Sequence, residues 1–222
     1  MNTSLLLAAA AVLMLAPAAQ AKPVLAGRSP AAAKIVGADR TLDVLYDQHG
    51  ADSGIGILSQ NFESSFDAYD SQAADDFIVP KGAKWSVREI HAAGVYFNGK
   101  GPAASVNVFF YYRGKGHKPG EVRASYAEIL PSTDNGGSFV LALPKRVRLH
   151  PGRYWLSVQA NMDVTAGGEW GWENQTTVVG LPAQWRNTGG GLGVCPEWAQ
   201  EDTCISAGQG DHIFTLRGRL IP

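Results

Sequence analysis

The sequence predicts an all-β fold: a single two-sheet antiparallel β-sandwich, with little helix outside an N-terminal signal segment. The 222 residues include 26 glycines and 12 prolines, which divide the chain into short runs. Within these runs apolar and polar residues alternate, as they do in strands that bury one face. No run beyond residue 40 keeps an apolar period of about 3.6 residues for three turns, so helix should be minor. Strands that recur with turn signals between them are typical of a sandwich.

The clearest predicted strand is SVNVFFYYR, residues 105 to 113. It carries apolar residues on both faces, which indicates a central strand of a sheet. A second strand follows the Pro-Gly turn of LHPGRYWLSVQANM, residues 149 to 162. In WSVREIHAAGVYF, residues 85 to 97, the alternation changes phase near Glu89 and Ile90, which predicts a β-bulge. Further strands are predicted in residues 121 to 130, 139 to 144 and 212 to 220.

Residues 1 to 21 are predicted to be a secretory signal peptide that is cleaved before Lys22. The apolar run LLLAAAAVLMLA, residues 5 to 16, is followed by the small-residue site Ala19-Gln20-Ala21. This run is shorter than the ~20 apolar residues that span a bilayer, and no second run reaches that length. We therefore expect a secreted or periplasmic protein that does not insert into a membrane after signal cleavage.

The rest of the chain divides into an extension and a domain. Residues 22 to 40 are rich in Ala, Pro and Gly without a clear period, so we expect a disordered or loosely docked extension. Residues 41 to 222 contain the alternating runs and are long enough to form one domain with a proper core. The chain has 19 Lys and Arg against 20 Asp and Glu, with no long run of either sign. This balance argues against a nucleic-acid or anionic-membrane surface.

The two cysteines, Cys195 and Cys204, lie close together in CPEWAQEDTC. An even, closely spaced pair in an exported chain is most simply a disulfide. The alternative is a metal site, but the segment has no CxxC. The nearest histidine, His212, would add only a third ligand where zinc takes four. We therefore predict a disulfide.

Seven short motifs occur in order along the chain. They are LYDQ (45–48), SQNFE (59–63), FDAYDSQAADDFIVP (66–80), VNVFFYY (106–112), PGRYWLSVQA (151–160), WGWEN (170–174) and GDHIFTLRG (210–218). Together they resemble an uncharacterised family of secreted bacterial β-sandwich domains, found alone or appended to extracellular proteins. The resemblance covers roughly residues 42 to 219 and implies a jelly-roll-like sandwich with an extracellular role. It implies no reaction, ligand or catalytic residue.

The known catalytic motifs that can be tested on the sequence do not fit. GVYFNGKG, residues 94 to 101, matches the start of a phosphate-binding loop, but Gly101 stands where Ser or Thr should bind Mg²⁺. A hairpin turn at Asn98-Gly99 explains that segment better. The chain has no GxSxG and no HExxH motif. We predict that the protein is not an enzyme; a hydrolase assembled from residues distant in sequence is the alternative.

An acidic stretch, residues 63 to 77, supplies candidate ligands for structural calcium: Asp70, Asp75 and Asp76. Calcium prefers six to eight oxygen ligands, which clustered carboxylates can supply. The spacing is not that of an EF-hand loop. The alternative is that Asp75 and Asp76 accept backbone N–H hydrogen bonds at the start of a strand while the others are solvated. We therefore predict no cofactor, with structural calcium as the exception to test.

Four tryptophans in the glycine-rich C-terminal third are candidate ligand-binding residues: Trp170, Trp172, Trp185 and Trp198. Exposed aromatic faces can stack on sugar rings, and loops and strand ends of sandwiches carry function. The alternative is that these large apolar side chains belong to the core. The sequence leaves that choice open, and the exposure of the four indole rings decides it.

Glu169 and Glu173 flank the first two tryptophans, four residues apart. A glycosidase needs two carboxyl groups ~5–9 Å apart across a cleft, whereas these two project in parallel from one strand and lie too far apart for the retaining geometry. We predict a secreted, non-catalytic binding or adhesion module, with a glycan or cell-surface polymer as partner. A purely structural or accessory envelope domain is the alternative, and an unrecognised secreted hydrolase is the third hypothesis.

Overall fold

A computed structural model describes residues 22–28, 41–206 and 210–222 of the chain. Its strands are β1 (Ala26–Arg28), β2 (Asp43–Gln48), β3 (Asp52–Leu58), β4 (Gln60–Asn61), β5 (Gln72–Val79), β6 (Trp85–Ala92), β7 (Gly94–Phe97), β8 (Ser105–Arg113), β9 (Pro119–Ile129), β10 (Thr133–Asn135), β11 (Ser138–Leu149), β12 (Gly152–Asn161), β13 (Glu169–Gln175), β14 (Gln184–Arg186), β15 (Ala199–Gln200) and β16 (Phe214–Leu220). Among the described residues, helix is limited to two α-helical turns, α1 (Val164–Gly167) and α2 (Glu201–Cys204), and two 3₁₀ segments, Ser64–Tyr69 and Lys115–His117. The predicted all-β class is therefore confirmed.

The strands form two packed layers. One layer is a seven-stranded sheet in the order β15-β14-β5-β12-β8-β9, with β4 added parallel to β12. The other layer consists of a five-stranded sheet, β10-β11-β6-β16-β2, and a four-stranded sheet, β1-β3-β13-β7. These two sheets meet at Ala93, whose N–H donates to the Ile213 carbonyl and whose carbonyl accepts from the Glu173 N–H. The result is the antiparallel sandwich that the alternating runs predict.

The core lies between the two layers and is rich in aromatic rings. Phe77 of the seven-stranded sheet stacks on Trp85 of the five-stranded sheet, with ring centroids 6.1 Å apart. It also meets Phe214 of that sheet edge to face at 6.4 Å. Such cross-layer aromatic contacts bury large apolar areas and fix how the two sheets are aligned.

The strand pairing confirms two local predictions. β8 pairs with β12 on one side and β9 on the other, so residues 105–113 form an interior strand. The phase change predicted near Glu89 and Ile90 appears as a register shift at Arg88. Both neighbours of β6, β11 and β16, skip pairing between Val87 and Glu89. This bulge returns Ile90 to the core after Val87.

The segment predicted to be a disordered extension is ordered where it is described. Residues 26–28 pair antiparallel with β3 as an added strand. Pro23 is buried, and the Val24 N–H donates to the Glu169 carboxylate at 2.5 Å. Of the two expected states, disordered or loosely docked, residues 22–28 are docked on the domain, because backbone pairing with a sheet edge needs no apolar periodicity. The remainder of the extension, residues 29–40, and the predicted signal peptide lie outside the described residues. In the part of the chain that is described, no helix has the length and apolar character to cross a membrane.

Candidate functional site

The four candidate tryptophans are not a surface platform. Trp170, Trp172 and Trp185 have no exposed surface, and Trp198 is 8 % exposed. Each buried indole N–H of the first three donates to a backbone carbonyl: Trp170 to Gly137, Trp172 to Ile213 and Trp185 to Leu58. The platform alternative is therefore corrected in favour of core, because β13 is covered on both faces and its tryptophans point into the sandwich.

Trp198 is different, because it lies on the outer face of the seven-stranded sheet, turned away from the main core. It belongs to a small cluster with Tyr111, Trp155 and Ala74. Tyr111 meets its ring edge to face at 5.8 Å, and the Arg186 guanidinium lies 4.4 Å from its ring centroid, in cation–π contact. Trp198 therefore anchors a chain segment over the outer face instead of offering its own face to a ligand.

A groove of about 410 Å³ opens beside this cluster. One wall is the turn between β8 and β9, and the other is the C-terminal segment that Trp198 anchors. The lining residues are Gly116, His117, Lys118, Leu181, Pro182, Gln184, Ala199, Gln200 and Thr203. This volume is within the ~300–1,000 Å³ of ordinary small-molecule sites. We call this depression the outer groove and consider it the candidate functional site.

The β8–β9 turn forms a rigid wall of the outer groove. The Gly114 N–H donates to the Lys118 carbonyl at 2.8 Å and closes the turn. A Cβ atom added to Gly114 would lie 2.8 Å from the Cα of Gly120. The backbones of the two strands that enter and leave the turn are therefore in direct contact. Gly116 and His117 both adopt positive φ, 64° and 63°, which the turn requires to reverse direction. Lys118 and His117 are consequently presented toward the groove from a fixed backbone.

The opposite wall is held by two buried carboxylates. Asp211 accepts hydrogen bonds from the N–H groups of Val179 and Ala183, the latter at 3.1 Å. Asp76 accepts one from the Leu181 N–H at 2.6 Å and is paired with Arg153. Alternate backbone amides of one segment are thus bound by side-chain oxygens, much as a neighbouring strand would bind them. Burial raises the pKa of Asp211 to about 7 and also raises the pKa of Asp76.

The predicted disulfide is confirmed and completes this wall. Cys195 and Cys204 are bonded, with their Cα atoms 5.8 Å apart. The loop that they close contains Trp198 and three groove residues, Ala199, Gln200 and Thr203. Closing a loop of this length typically stabilises the folded state by ~2–3 kcal/mol. The disulfide therefore limits how far the Gln200 side of the groove can move.

Three buried polar atoms on the outer face have no hydrogen-bond partner among the described residues: Gln184 Oε1, Ser157 Oγ and Trp155 Nε1. Gln184 and Ser157 are both Cα partners of Ala74, so they lie on neighbouring strands of one face. Buried polar groups are nearly always satisfied, and an unsatisfied group indicates a place for water or a ligand atom. Gln184 also lines the outer groove and is 3 % exposed. Its unsatisfied Oε1 therefore marks a position next to the groove where a water or a ligand atom would be bound.

The calcium candidates are not brought together as a metal site. Asp75 faces the core and accepts from Gln48 Nε2 at 2.7 Å and from the His212 N–H at 2.6 Å. Asp76, the next residue, faces the outer side, and Asp70 accepts from the Phe62 N–H. Within the described ranges no group of three His, Cys, Asp or Glu side chains is placed to hold a metal ion. The alternative use of Asp75 and Asp76, as acceptors for backbone amides, is the one found.

Glu169 and Glu173 are both buried, at 1 % exposure, and they do not line the outer groove. Glu169 binds the N-terminal segment through the Val24 N–H and also accepts from Asn98 Nδ2. Burial raises the pKa of Glu169 to about 7. This role of Glu169 is not visible in the sequence, because Val24 lies 145 residues away along the chain.

The comparison with known proteins adds no relative. No protein-family model matches the chain, and neither a curated protein nor a solved structure matches it. The resemblance to a family of secreted bacterial sandwich domains therefore stays a prediction, and the outer groove has to be interpreted from its own chemistry.

Proposed function

We propose that the protein is an exported, non-catalytic polysaccharide-binding module and that the outer groove holds the sugar. The observation that carries this proposal is the composition of the groove lining. Leu181, Pro182 and Ala199 supply apolar surface, whereas Gln200 and Thr203 supply hydrogen-bonding groups. A sugar ring presents C–H faces and a rim of hydroxyl groups, so it is complementary to a lining of this kind. Side-chain amides both donate and accept, as hydroxyl groups require.

The rigidity of both walls supports binding. The β8–β9 turn is closed by its own backbone, and the opposite wall is held by Asp76, Asp211 and the disulfide. A ligand that meets a preformed site loses little affinity to ordering the protein. The groove residues Gln200 and Thr203 are therefore presented without a large entropic cost.

Export is supported by two independent features. The N-terminal apolar run ends in a small-residue cleavage pattern, Ala19-Gln20-Ala21. The disulfide between Cys195 and Cys204 is a bond that persists in oxidising compartments. A polysaccharide partner fits these compartments, since cell-surface polymers are located there.

A second function, a structural or accessory envelope domain, is favoured by the burial of the tryptophans. With Trp170, Trp172 and Trp185 fully buried, the aromatic platform no longer argues for a glycan. A structural domain would have a folded core and a polar surface without affinity for any polymer. The two proposals differ in one measurable property, which is binding of polysaccharide by the isolated protein.

The test is a polysaccharide pull-down and glycan array with the protein that begins at Lys22. We expect binding that Thr203→Trp reduces at least tenfold, because the exposed Thr203 lines the groove and an indole would fill it. The matched control is Thr165→Trp, which places the same bulk at an exposed position in a different depression. Absence of binding by the wild type would favour the structural domain. Equal loss in both variants would exclude the outer groove as the site.

A further inference from the structure

The turn that forms one wall of the outer groove concentrates positive charge. Three of its six residues from 113 to 118 are cationic, Arg113, Lys115 and Lys118, and His117 is the fourth basic residue. All four side chains are exposed. We call these four residues the basic turn. Its charge density contrasts with the whole chain, whose formal net charge is −1.

The basic turn has no carboxylate partner in the described part of the chain. Each ion pair found there involves other cations: His49, His91, Arg153, His212 and Arg217. Glu121, the acidic residue nearest along the sequence, does not line the groove, and neither does Asp202, the neighbour of the groove residue Thr203. His117 and Lys118 line the groove, Arg113 and Lys115 are exposed on the same turn, and none of the four is paired with a carboxylate among the described residues.

The basic turn also resists rearrangement that would spread its charges apart. The Gly114–Lys118 hydrogen bond and the backbone contact of Gly114 with Gly120 fix its two arms. Arg113 Nη2 donates to His117 Nδ1 at 2.6 Å, so these two side chains are held side by side. A ring nitrogen that accepts this hydrogen bond leaves the other ring nitrogen able to serve a ligand. The positive charges of Arg113, Lys115 and Lys118, which this turn keeps close together, favour an anionic partner.

The opposite wall supplies the neutral half of the site. Its lining consists of Leu181, Pro182, Gln184, Ala199, Gln200 and Thr203, without a charged side chain. A ligand that spans the groove thus meets positive charge on one side and amide, hydroxyl and apolar groups on the other. A neutral glycan would use only the second wall, and a simple inorganic anion only the first.

We propose that the ligand of the outer groove is an acidic polysaccharide, with its carboxylate or sulfate groups against the basic turn and its sugar rings against the opposite wall. The proposal rests on the polysaccharide-binding function above and specifies its ligand. Lysine suits this role because its ammonium is a compact charge that contacts an oxyanion without a required orientation. Repetition of the acidic group along the polymer allows successive contacts and raises the effective affinity.

The experiment measures binding to three polymers of similar length: polygalacturonate, dextran sulfate and neutral dextran. Affinity electrophoresis or titration calorimetry with the protein that begins at Lys22 gives the dissociation constants. We expect binding to at least one acidic polymer and at least tenfold weaker binding to dextran. Preference for polygalacturonate or for dextran sulfate identifies carboxylate or sulfate as the recognised group. Because exposed charges are screened by salt, affinity should fall several-fold between about 50 and 300 mM NaCl.

The variant Lys115→Gln/Lys118→Gln should weaken binding of the acidic polymer about tenfold. The matched control is Lys100→Gln/Lys145→Gln, which removes the same charge from exposed positions outside both the basic turn and the groove lining and should leave binding unchanged. Circular dichroism checks that both variants are folded. Equal effects of the two variants, or equal affinity for dextran and the acidic polymers, would overturn this inference and leave the proposed function standing. Binding to no polysaccharide would refute the proposed function itself, and binding only to phosphatidylglycerol vesicles would refute both.

Discussion

The imidazole of His212 stacks on the indole of Trp172, with ring centroids 4.4 Å apart and planes inclined by 11°. His212 Nε2 also lies 2.9 Å from Glu201 Oε2, and Glu201 Oε1 accepts from Asn174 Nδ2 at 2.6 Å. All of these side chains are buried. They join the WGWEN strand to α2, which contains Thr203 of the outer groove. The core of the sandwich thus supports one wall of the candidate site.

Replacing Glu201 tests this support. Glu201→Ala leaves the buried Asn174 Nδ2 without its acceptor, and an unsatisfied buried donor typically costs ~1–3 kcal/mol. We expect the free energy of unfolding from urea titration to fall by about 2 kcal/mol. The neighbouring Asp202 is exposed, so Asp202→Ala should change the same quantity by less than about 0.5 kcal/mol. Similar losses in both variants would show that the buried contacts of Glu201 are unimportant for stability.

Stability should decrease as the pH rises through neutrality. Burial raises the pKa of Asp211 and of Glu169 to about 7 and that of Asp70 to about 6. The folded protein therefore binds protons more tightly than the unfolded chain, whose carboxyl groups titrate near pH 4. Between those values the free energy of unfolding falls with increasing pH. Urea titrations at pH 5 and pH 8 measure the difference, and Asp211→Asn should reduce it. A higher stability at pH 8 than at pH 5 would contradict this assignment.

The N-terminal segment should contribute to stability, because residues 26–28 add a strand to the sheet edge at β3. A protein that begins at Thr41 lacks β1, its pairing with β3 and the Val24–Glu169 hydrogen bond. It also leaves the buried Glu169 carboxylate with one fewer donor, which costs ~1–3 kcal/mol. We expect the melting temperature to be several degrees below that of the protein beginning at Lys22. Identical melting curves would mean that the segment is dispensable for the fold.

The disulfide should affect both stability and binding. Cys195→Ser/Cys204→Ser frees the loop that contains Gln200, so the free energy of unfolding should fall by ~2–3 kcal/mol. The same change should weaken binding to the polysaccharide, because one wall of the outer groove becomes less ordered. Reductant added to the wild type should reproduce the loss of stability and leave the double variant unaffected. Unchanged affinity in the variant would exclude a role of the disulfide in the site.

The regular strands were predictable because their signal is local. Residues 105–113 carry apolar residues on both faces of a continuous run, and the predicted strand coincides with β8. The two cysteines are close enough in sequence to indicate their own pairing. The burial of the four tryptophan side chains was not predictable. Alternation shows that Trp170 and Trp172 share a face, but whether that face is covered depends on distant segments. The outer groove was missed for the same reason, since the basic turn and the Gln200 segment meet only in the folded chain.

The carboxylates of Asp76 and Asp211 bind the backbone amides of residues 179–183, and this determines which residues of the wall tolerate substitution. The side chains of Val178 and Val179 are about half exposed. Because the carboxylates bind backbone amides, these two side chains do not determine the path of the segment. Gly180 is the exception, because its φ is +98° and an added Cβ would lie 2.8 Å from the Asp76 carboxylate. Evolution, or a randomised library, could therefore vary residues 178 and 179 beside the outer groove while the scaffold stays intact.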